Sequence, residues 1–250
     1  MKWIDKTRLH SDFLAGTFLN LGNETAVEIA ADTGFDWLLI DLEHGSGSLA
    51  DLRRMLLACR DSSAAPIVRI RSVDADTVKF VMDSGASGVM FPYVSSPEEA
   101  AAAVDCMKYP PLGTRGVAGA IRATDYGRNW KRYFSEANDS TCVVVQIETP
   151  EAVEAAGAIA ATPGVDVLFV GPLDLSVNMG FPGDFGQPEF EEALRKVVSA
   201  CTAHGKTAGI LSKPGFEKQH KQIGFRFVAL GSDSLSIVDG MRKNLDSLRE

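Results

Sequence analysis

Eight short apolar, β-rich runs recur from one end of the chain to the other: LAGTFLNL, WLLID, PIVRI, GVMFP, CVVVQIE, VDVLFVG, TAGIL and FRFVALG. Segments with helical character separate them, among them ETAVEIAADTG, LADLRRMLLACRD, SPEEAAAAVDCM and PEFEEALRKVVSACTAHG. Several carry helix punctuation, with Ser96-Pro97-Glu98-Glu99 or Thr149-Pro150-Glu151 at the start and Gly at the end. Strand alternating with helix gives parallel βαβ units. The runs are apolar throughout, as strands covered on both faces must be. Eight of them in 250 residues predict an α/β fold of the (β/α)8 TIM-barrel type rather than an open doubly wound sheet. No GxGxxG follows the first run and no Walker loop occurs, which weakens dinucleotide and nucleotide binding. No linker, repeat or low-complexity segment interrupts the pattern, so residues 1–250 read as a single domain.

Composition narrows the function classes. The formal charge is −8 and no basic stripe occurs, which argues against a nucleic-acid partner. No apolar stretch is long enough to cross a bilayer, and MKWIDKTRLHSDFL mixes charge into its apolar positions, unlike a secretory signal. Cys59, Cys106, Cys142 and Cys201 are scattered without a CxxC pair. Reduced buried thiols in a cytoplasmic protein are the expectation. One interval is anomalous. Between GVMFP and CVVVQIE lies YPPLGTRGVAGAIRATDYGRNW, which in a barrel is expected to be a loop, or a helix and its extension, on the functional face.

A barrel enzyme gathers its reactive side chains at the C-terminal ends of different strands. Here the second run ends in Asp41, Glu43 and His44, the third carries Arg69 and Arg71, the fifth ends in Gln146 and Glu148, and the sixth runs into Gly171-Pro172-Leu173-Asp174. Singly, each has an ordinary explanation. A strand-exit carboxylate often only caps the next helix, and an isolated His is often structural. His10, His204 and His220 are expected to be solvated. Arg69, embedded in an apolar strand, needs an anion, either a structural carboxylate or a substrate. Asp41 and Glu43 fall on the same side of a pleated strand; one could orient His44 and the other pair with Arg69 or Arg71.

Glu148 and Asp174 beside an amide make an oxygen-rich environment suited to Mg²⁺ or Mn²⁺. The Gly171–Asp174 turn can offer backbone N–H groups to a substrate carboxylate. Arg69 can stabilise an oxyanion and His44 can move a proton. A 2-oxo acid bound through its carboxylate and keto oxygens fits all four elements, with the metal as electron sink for an enolate.

DWLLIDLEHG, PIVRI, MDSGASGVMFPYV, YPPLGTRGV, VVVQIETPEAV and VLFVGPLDLSVNMG resemble, in order, the HpcH/HpaI aldolases, class II pyruvate aldolases that depend on a divalent metal. The resemblance implies a barrel whose last helix is exchanged between subunits of a hexamer, a dimer of trimers. It implies Glu148 and Asp174 as ligands of a divalent ion (Mg, Mn or Co). Gln146, Gly171 and Leu173 match pyruvate-binding positions, the last two through backbone groups, alongside Arg69 and Asp174. His44 matches the acid/base and Arg69 the residue that polarises the keto oxygen. Asp83 matches the carboxylate that pairs with the His. Because Asp83 precedes the fourth strand, it belongs at the opposite end of its own barrel, so that pairing requires a neighbouring subunit. The implied reaction is reversible cleavage of a 4-hydroxy-2-oxo acid into pyruvate and an aldehyde.

Phe18, Asn20 and Gly22 stand where the typical member has Trp, Gly and Ser, Leu173 replaces Ala, and Leu42 occupies a position often Gly. These departures fall on the aldehyde side. Alternatives are an oxaloacetate decarboxylase or acyl-CoA lyase using the same enolate site, a Schiff-base aldolase using Lys213, and a non-catalytic 2-oxo-acid-binding barrel. Lys213, followed by Pro214-Gly215 in a loop, is poorly placed for the desolvation that a nucleophilic amine requires.

Overall fold

A computed structural model describes residues 3–249. The eight apolar runs form β1 (Leu14–Leu19), β2 (Trp37–Asp41), β3 (Ala65–Arg69), β4 (Gly88–Phe91), β5 (Cys142–Ile147), β6 (Val167–Val170), β7 (Thr207–Ser212) and β8 (Phe227–Ser232). They pair in parallel, in sequence order, and close into a barrel. The predicted (β/α)8 fold is therefore the observed one. The β1–β8 seam carries a register shift between Gly16 and Phe18.

Inward-facing side chains fill the barrel, as the alternation of a pleated strand requires. Trp37 stacks on Phe227 at 4.0 Å between ring centroids, and Phe169 meets both edge-on. Gly16 is glycine because a Cβ there would overlap the Trp37 indole. Helix α1 (Lys6–Ser11) plugs the N-terminal end, where Leu9 and Ile4 join the interior cluster. Outward-facing side chains form a second, larger core against the surrounding helices.

Those helices are α2 (Glu24–Asp32), α3 (Leu49–Ala58), α4 (Ala75–Asp83), α5 (Pro97–Met107), α6 (Trp130–Ser140), α7 (Pro150–Ala161), α8 (Pro172–Asn178), α9 (Pro188–Ala203), α10 (Glu217–Ile223) and α11 (Asp233–Asp246). The punctuation read from sequence operates as capping. Ser96 Oγ accepts the Glu99 amide at 3.1 Å and Thr149 Oγ1 accepts that of Ala152 at 3.1 Å, each satisfying one orphan donor of a first turn.

Two expectations need correction. The Gly- and Arg-rich interval does not lie on the functional face. It follows α5, so the chain has already returned to the N-terminal end of the barrel. There Arg122 donates to the carbonyls of Ser84 and Leu56 at the ends of the α4 and α3 segments. His220 is not solvated: it is buried, and its Nδ1 lies 2.9 Å from Ser212 Oγ at the end of β7. The expectation of a solvated His220 failed because the short α10 packs this histidine onto the barrel rim.

All four cysteines are free and buried. Among the described residues, no helix is long and apolar enough to cross a membrane. Helix α11 is unlike the others: it buries none of its residues, and Leu235, Ile237, Val238, Met241 and Leu245 are all exposed.

Candidate active site

The register of the sheet sets Asp41 directly beside Arg69 at the ends of β2 and β3. Arg69 Nε reaches Asp41 Oδ1 at 2.9 Å and its NH2 reaches Oδ2 at 2.7 Å, a two-point fork. The remaining guanidinium nitrogen lies 3.1 Å from Glu43 Oε2, and the face of Phe18 sits 5.2 Å away. Burial alone would lower the Arg69 pKa, but the Asp41 hydrogen bonds and the surrounding carboxylates raise it. The group is a fixed cation. Asp41 also accepts the amides of Glu43 and His44 at 3.0 and 3.3 Å, so the same carboxylate shapes the loop that presents His44. The His44 side chain is exposed, with Nε2 3.8 Å from Glu43 Oε2. Arg71, beyond the strand, donates to the Leu42 carbonyl at 3.1 Å.

The second cluster is built around Glu148, which emerges one residue past β5 and is buried. It is not a helix cap; Thr149 fills that role. Glu148 Oε1 accepts Gln146 Nε2 at 2.9 Å, and Oε2 accepts the backbone N–H of Tyr93 at 3.1 Å. Tyr93 has φ of 50° in the loop after β4, and its phenol donates to Asp174 Oδ1 at 3.0 Å. One residue thus ties the two carboxylates together. Asn178 steadies the Glu148 carbonyl at 2.8 Å. Gly171 caps α8, and a Cβ on it would overlap the Glu148 carboxylate. Burial, reinforced by repulsion from Asp174 and Glu43, pushes Glu148 up to about 7 despite the Tyr93 N–H and Arg69.

This donor set fits a hard divalent cation. Two carboxylates adjoin an amide whose oxygen, Gln146 Oε1, is buried without a hydrogen-bond partner. Among the described residues no group of three or more His, Cys, Asp or Glu is placed to hold a metal. An ion here would draw its remaining ligands from water and substrate, as Mg²⁺ commonly does.

Asp41, His44, Arg69, Gln146, Gly171, Leu173 and Asp174, all singled out in the sequence, line one cavity of about 390 Å³. Asp83 does not join them. It ends α4 at the far end of the barrel, where its carboxylate takes Arg115 at 2.6 Å. Within one chain it therefore partners an arginine, not His44. Sequence reasoning missed Tyr93, whose only signal was its place just past the Phe91-Pro92 exit of β4. It also missed Phe185, which reaches the cavity wall from the segment after α8.

A parallel barrel that gathers an Arg–carboxylate fork and an acidic pair at its C-terminal mouth has the arrangement of a barrel enzyme. Residues 14–240 match the family model described as HpcH/HpaI aldolase/citrate lyase. A hydroxypyruvate/pyruvate aldolase of Paraburkholderia phytofirmans is 41% identical over 252 residues, covering 98% of this chain and 96% of that one. A 2-dehydro-3,6-dideoxy-6-sulfogluconate aldolase of Pseudomonas putida is 38% identical, covering 94% and 92%. The crystal structure of an HpcH/HpaI aldolase/citrate lyase family protein from Burkholderia cenocepacia superposes with a TM-score of 0.93 at 35% identity, covering 98% of each chain. The chain belongs to the HpcH/HpaI aldolase/citrate lyase family and is a carbon–carbon lyase of the aldolase type.

Proposed function

We propose that the protein reversibly cleaves a 4-hydroxy-2-oxo acid into pyruvate and an aldehyde, with a divalent ion held by Glu148 and Asp174. The observation that carries this reading is the Tyr93 bridge, which joins two carboxylates beside an unpaired amide oxygen and across the cavity from a fixed cation. The ion would supply positive charge to the carboxylate and keto oxygens of the substrate. Arg69, held by Asp41, faces the keto oxygen and stabilises the negative charge that grows on it as the bond breaks. Backbone groups at Gly171 and Leu173, with Gln146, orient the pyruvate half. His44 takes the proton from the C4 hydroxyl. The C3–C4 bond then breaks, the aldehyde leaves, and the pyruvate enolate is protonated at C3.

Exposed and in a loop, His44 acts best with a partner that steers it. Asp83 can supply one only from another subunit. The uncovered apolar face of α11 supports an assembly of the hexameric, helix-exchanging kind that the sequence resemblance implies. The Schiff-base alternative is disfavoured because Lys213 is exposed. A direct test is aldol formation from pyruvate and an aldehyde panel with Mg²⁺, Mn²⁺ or Co²⁺, followed by NMR. Turnover that persists in EDTA, or in a Glu148→Ala variant, would overturn the metal-dependent mechanism.

A further inference from the structure

Among the described residues only Arg69, Arg115 and Arg122 are arginines that the fold does not leave exposed. Arg69 is matched by Asp41 and Glu43, and Arg115 by Asp83. Arg122, in the Gly- and Arg-rich interval at the base of the barrel, is half-buried and has no such carboxylate. It donates to backbone alone, to the Ser84 carbonyl at 2.5 Å and the Leu56 carbonyl at 3.0 Å. Carbonyls at helix C-terminal ends offset part of a positive charge. A guanidinium that cannot shed its proton still leaves the rest uncompensated.

Its surroundings add charge of the same sign. Arg122 lines a cavity of about 180 Å³ together with Arg60, Tyr126 and Asn129. Among the described residues the Arg60 guanidinium makes neither a hydrogen bond nor an ion pair. Arg53 donates to the Tyr126 phenol oxygen at 2.9 Å and has no carboxylate partner among the described residues. Burial, with the like charges of Arg60 and Arg53, pushes the Arg122 pKa down. The acid on the lining, Asp125, is already taken by Arg128 at 2.5 Å. Asp125 and Tyr126 hold left-handed backbone, with φ of 53° and 55°, which non-glycine residues keep only where the surrounding structure fixes them. The cavity wall is therefore preformed.

We propose that this cavity is a second binding site, which takes a phosphate group between Arg60 and Arg122 with the Asn129 amide beside them. Two uncompensated cations match a dianion, and a phosphate monoester carries nearly two charges at neutral pH where a carboxylate carries one. Guanidinium forks also fit phosphate oxygens in pairs. On a chain of net charge −8, the general field repels anions, so a local cluster of cations decides where one is admitted. Pro66 near the start of β3 and Gly85 ahead of β4 are on the lining. The site is thus at the N-terminal end of the strands, opposite the cavity of Arg69 and Asp174, and no step of the aldol reaction runs through it.

The test titrates the intact, metal-free protein with inorganic phosphate by isothermal calorimetry, at an ionic strength held constant with KCl. Saturable binding is expected. Because Arg122 also ties two helix ends together, the decisive variant is Arg60→Met, which changes an exposed side chain. It should weaken phosphate binding by about tenfold, the loss of one charge-assisted hydrogen bond. Arg60→Lys, which keeps the charge without the fork, should lose less. No saturable binding by the wild type, or an affinity unchanged in Arg60→Met, overturns the proposal. Glycerol 3-phosphate then separates the two sources of the group. Tighter binding of the ester than of the free ion assigns the site to a phosphorylated metabolite, and weaker binding assigns it to phosphate itself. Neither reading requires turnover, so the outcome is independent of the aldolase assignment.

Discussion

Arg69 and Asp41 meet as a planar fork on a carboxylate, at 2.9 and 2.7 Å, from register-paired positions on neighbouring strands. Both are buried, so the pair holds a cation at the barrel mouth that no flexible side chain could present as reproducibly. Arg69→Lys keeps the charge but loses the fork. It should lower kcat by roughly 10²-fold, the effect of removing one oxyanion donor. Asp41→Asn should cost about 3 kcal/mol of stability, because it leaves a buried guanidinium partly uncompensated. Steady-state kinetics and denaturant unfolding check the two separately.

Glu148 makes stability depend on pH. Burial holds its folded-state pKa near 7, above the ordinary carboxylate range of the unfolded chain. Between those two values the folded protein keeps a proton that the unfolded chain has released. Metal-free protein should therefore lose stability as pH rises from about 4.5 through about 7, by up to about 3 kcal/mol. Glu148→Gln, neutral throughout, should flatten the profile. Thermal unfolding in EDTA across pH 5 to 8 measures this; parallel profiles for the two proteins would contradict it. Adding Mg²⁺ should reverse the slope in the wild type, because binding requires the ionised carboxylate.

Tyr93 offers a separable contact. Tyr93→Phe removes the phenol that reaches Asp174 while leaving the backbone N–H that serves Glu148. It should weaken divalent-ion binding severalfold, at the level of an outer partner of a metal ligand. Gly171→Ala should do more. Its Cβ would overlap Glu148, so the carboxylate must shift. Isothermal titration with Mn²⁺ gives both affinities without any turnover assay.

The placement of Asp83 yields a complementation test. Asp83→Asn and His44→Ala should each be nearly inactive. Mixed, unfolded and refolded together, they should regain part of the activity, because some sites then combine an intact Asp83 from one chain with an intact His44 from another. No recovery, with both variants folded, would leave Asp83 only its partnership with Arg115.

Apolar runs and their punctuation made the barrel legible, because a two-faced buried strand admits almost no polar residue until it ends. For the same reason Asp41, Arg69, Gln146 and Glu148 stood out, and the cavity gathers the first three beside Asp174. What failed to show depends on which end of the barrel a loop occupies. The Arg-rich interval looked functional by composition, yet it follows a helix and closes the base. Tyr93 was opaque because its role comes from a left-handed backbone turn that aims its amide and its phenol at different carboxylates. His220 was misread because α10 is only seven residues long, too short for a periodic pattern to distinguish its packed face.

Arg69, Gln146 and Asp174 line the cavity from β3, β5 and the exit of β6, whereas Phe18, Leu211, Ser212 and Ser232 line it from β1, β7 and β8, which the closed strand order makes contiguous. Each strand delivers its own side chains to the rim, and the strand pairing beneath does not depend on what stands above. The β7–β8–β1 arc can therefore drift to accept a new partner while the arc on β3, β5 and β6 keeps its chemistry intact. Under the proposed aldolase reading, a library confined to Leu211, Ser212, Lys213, Ser232 and Asn20, which line the cavity beside Arg69, Gln146 and Asp174, is expected to explore acceptors without rebuilding the reaction.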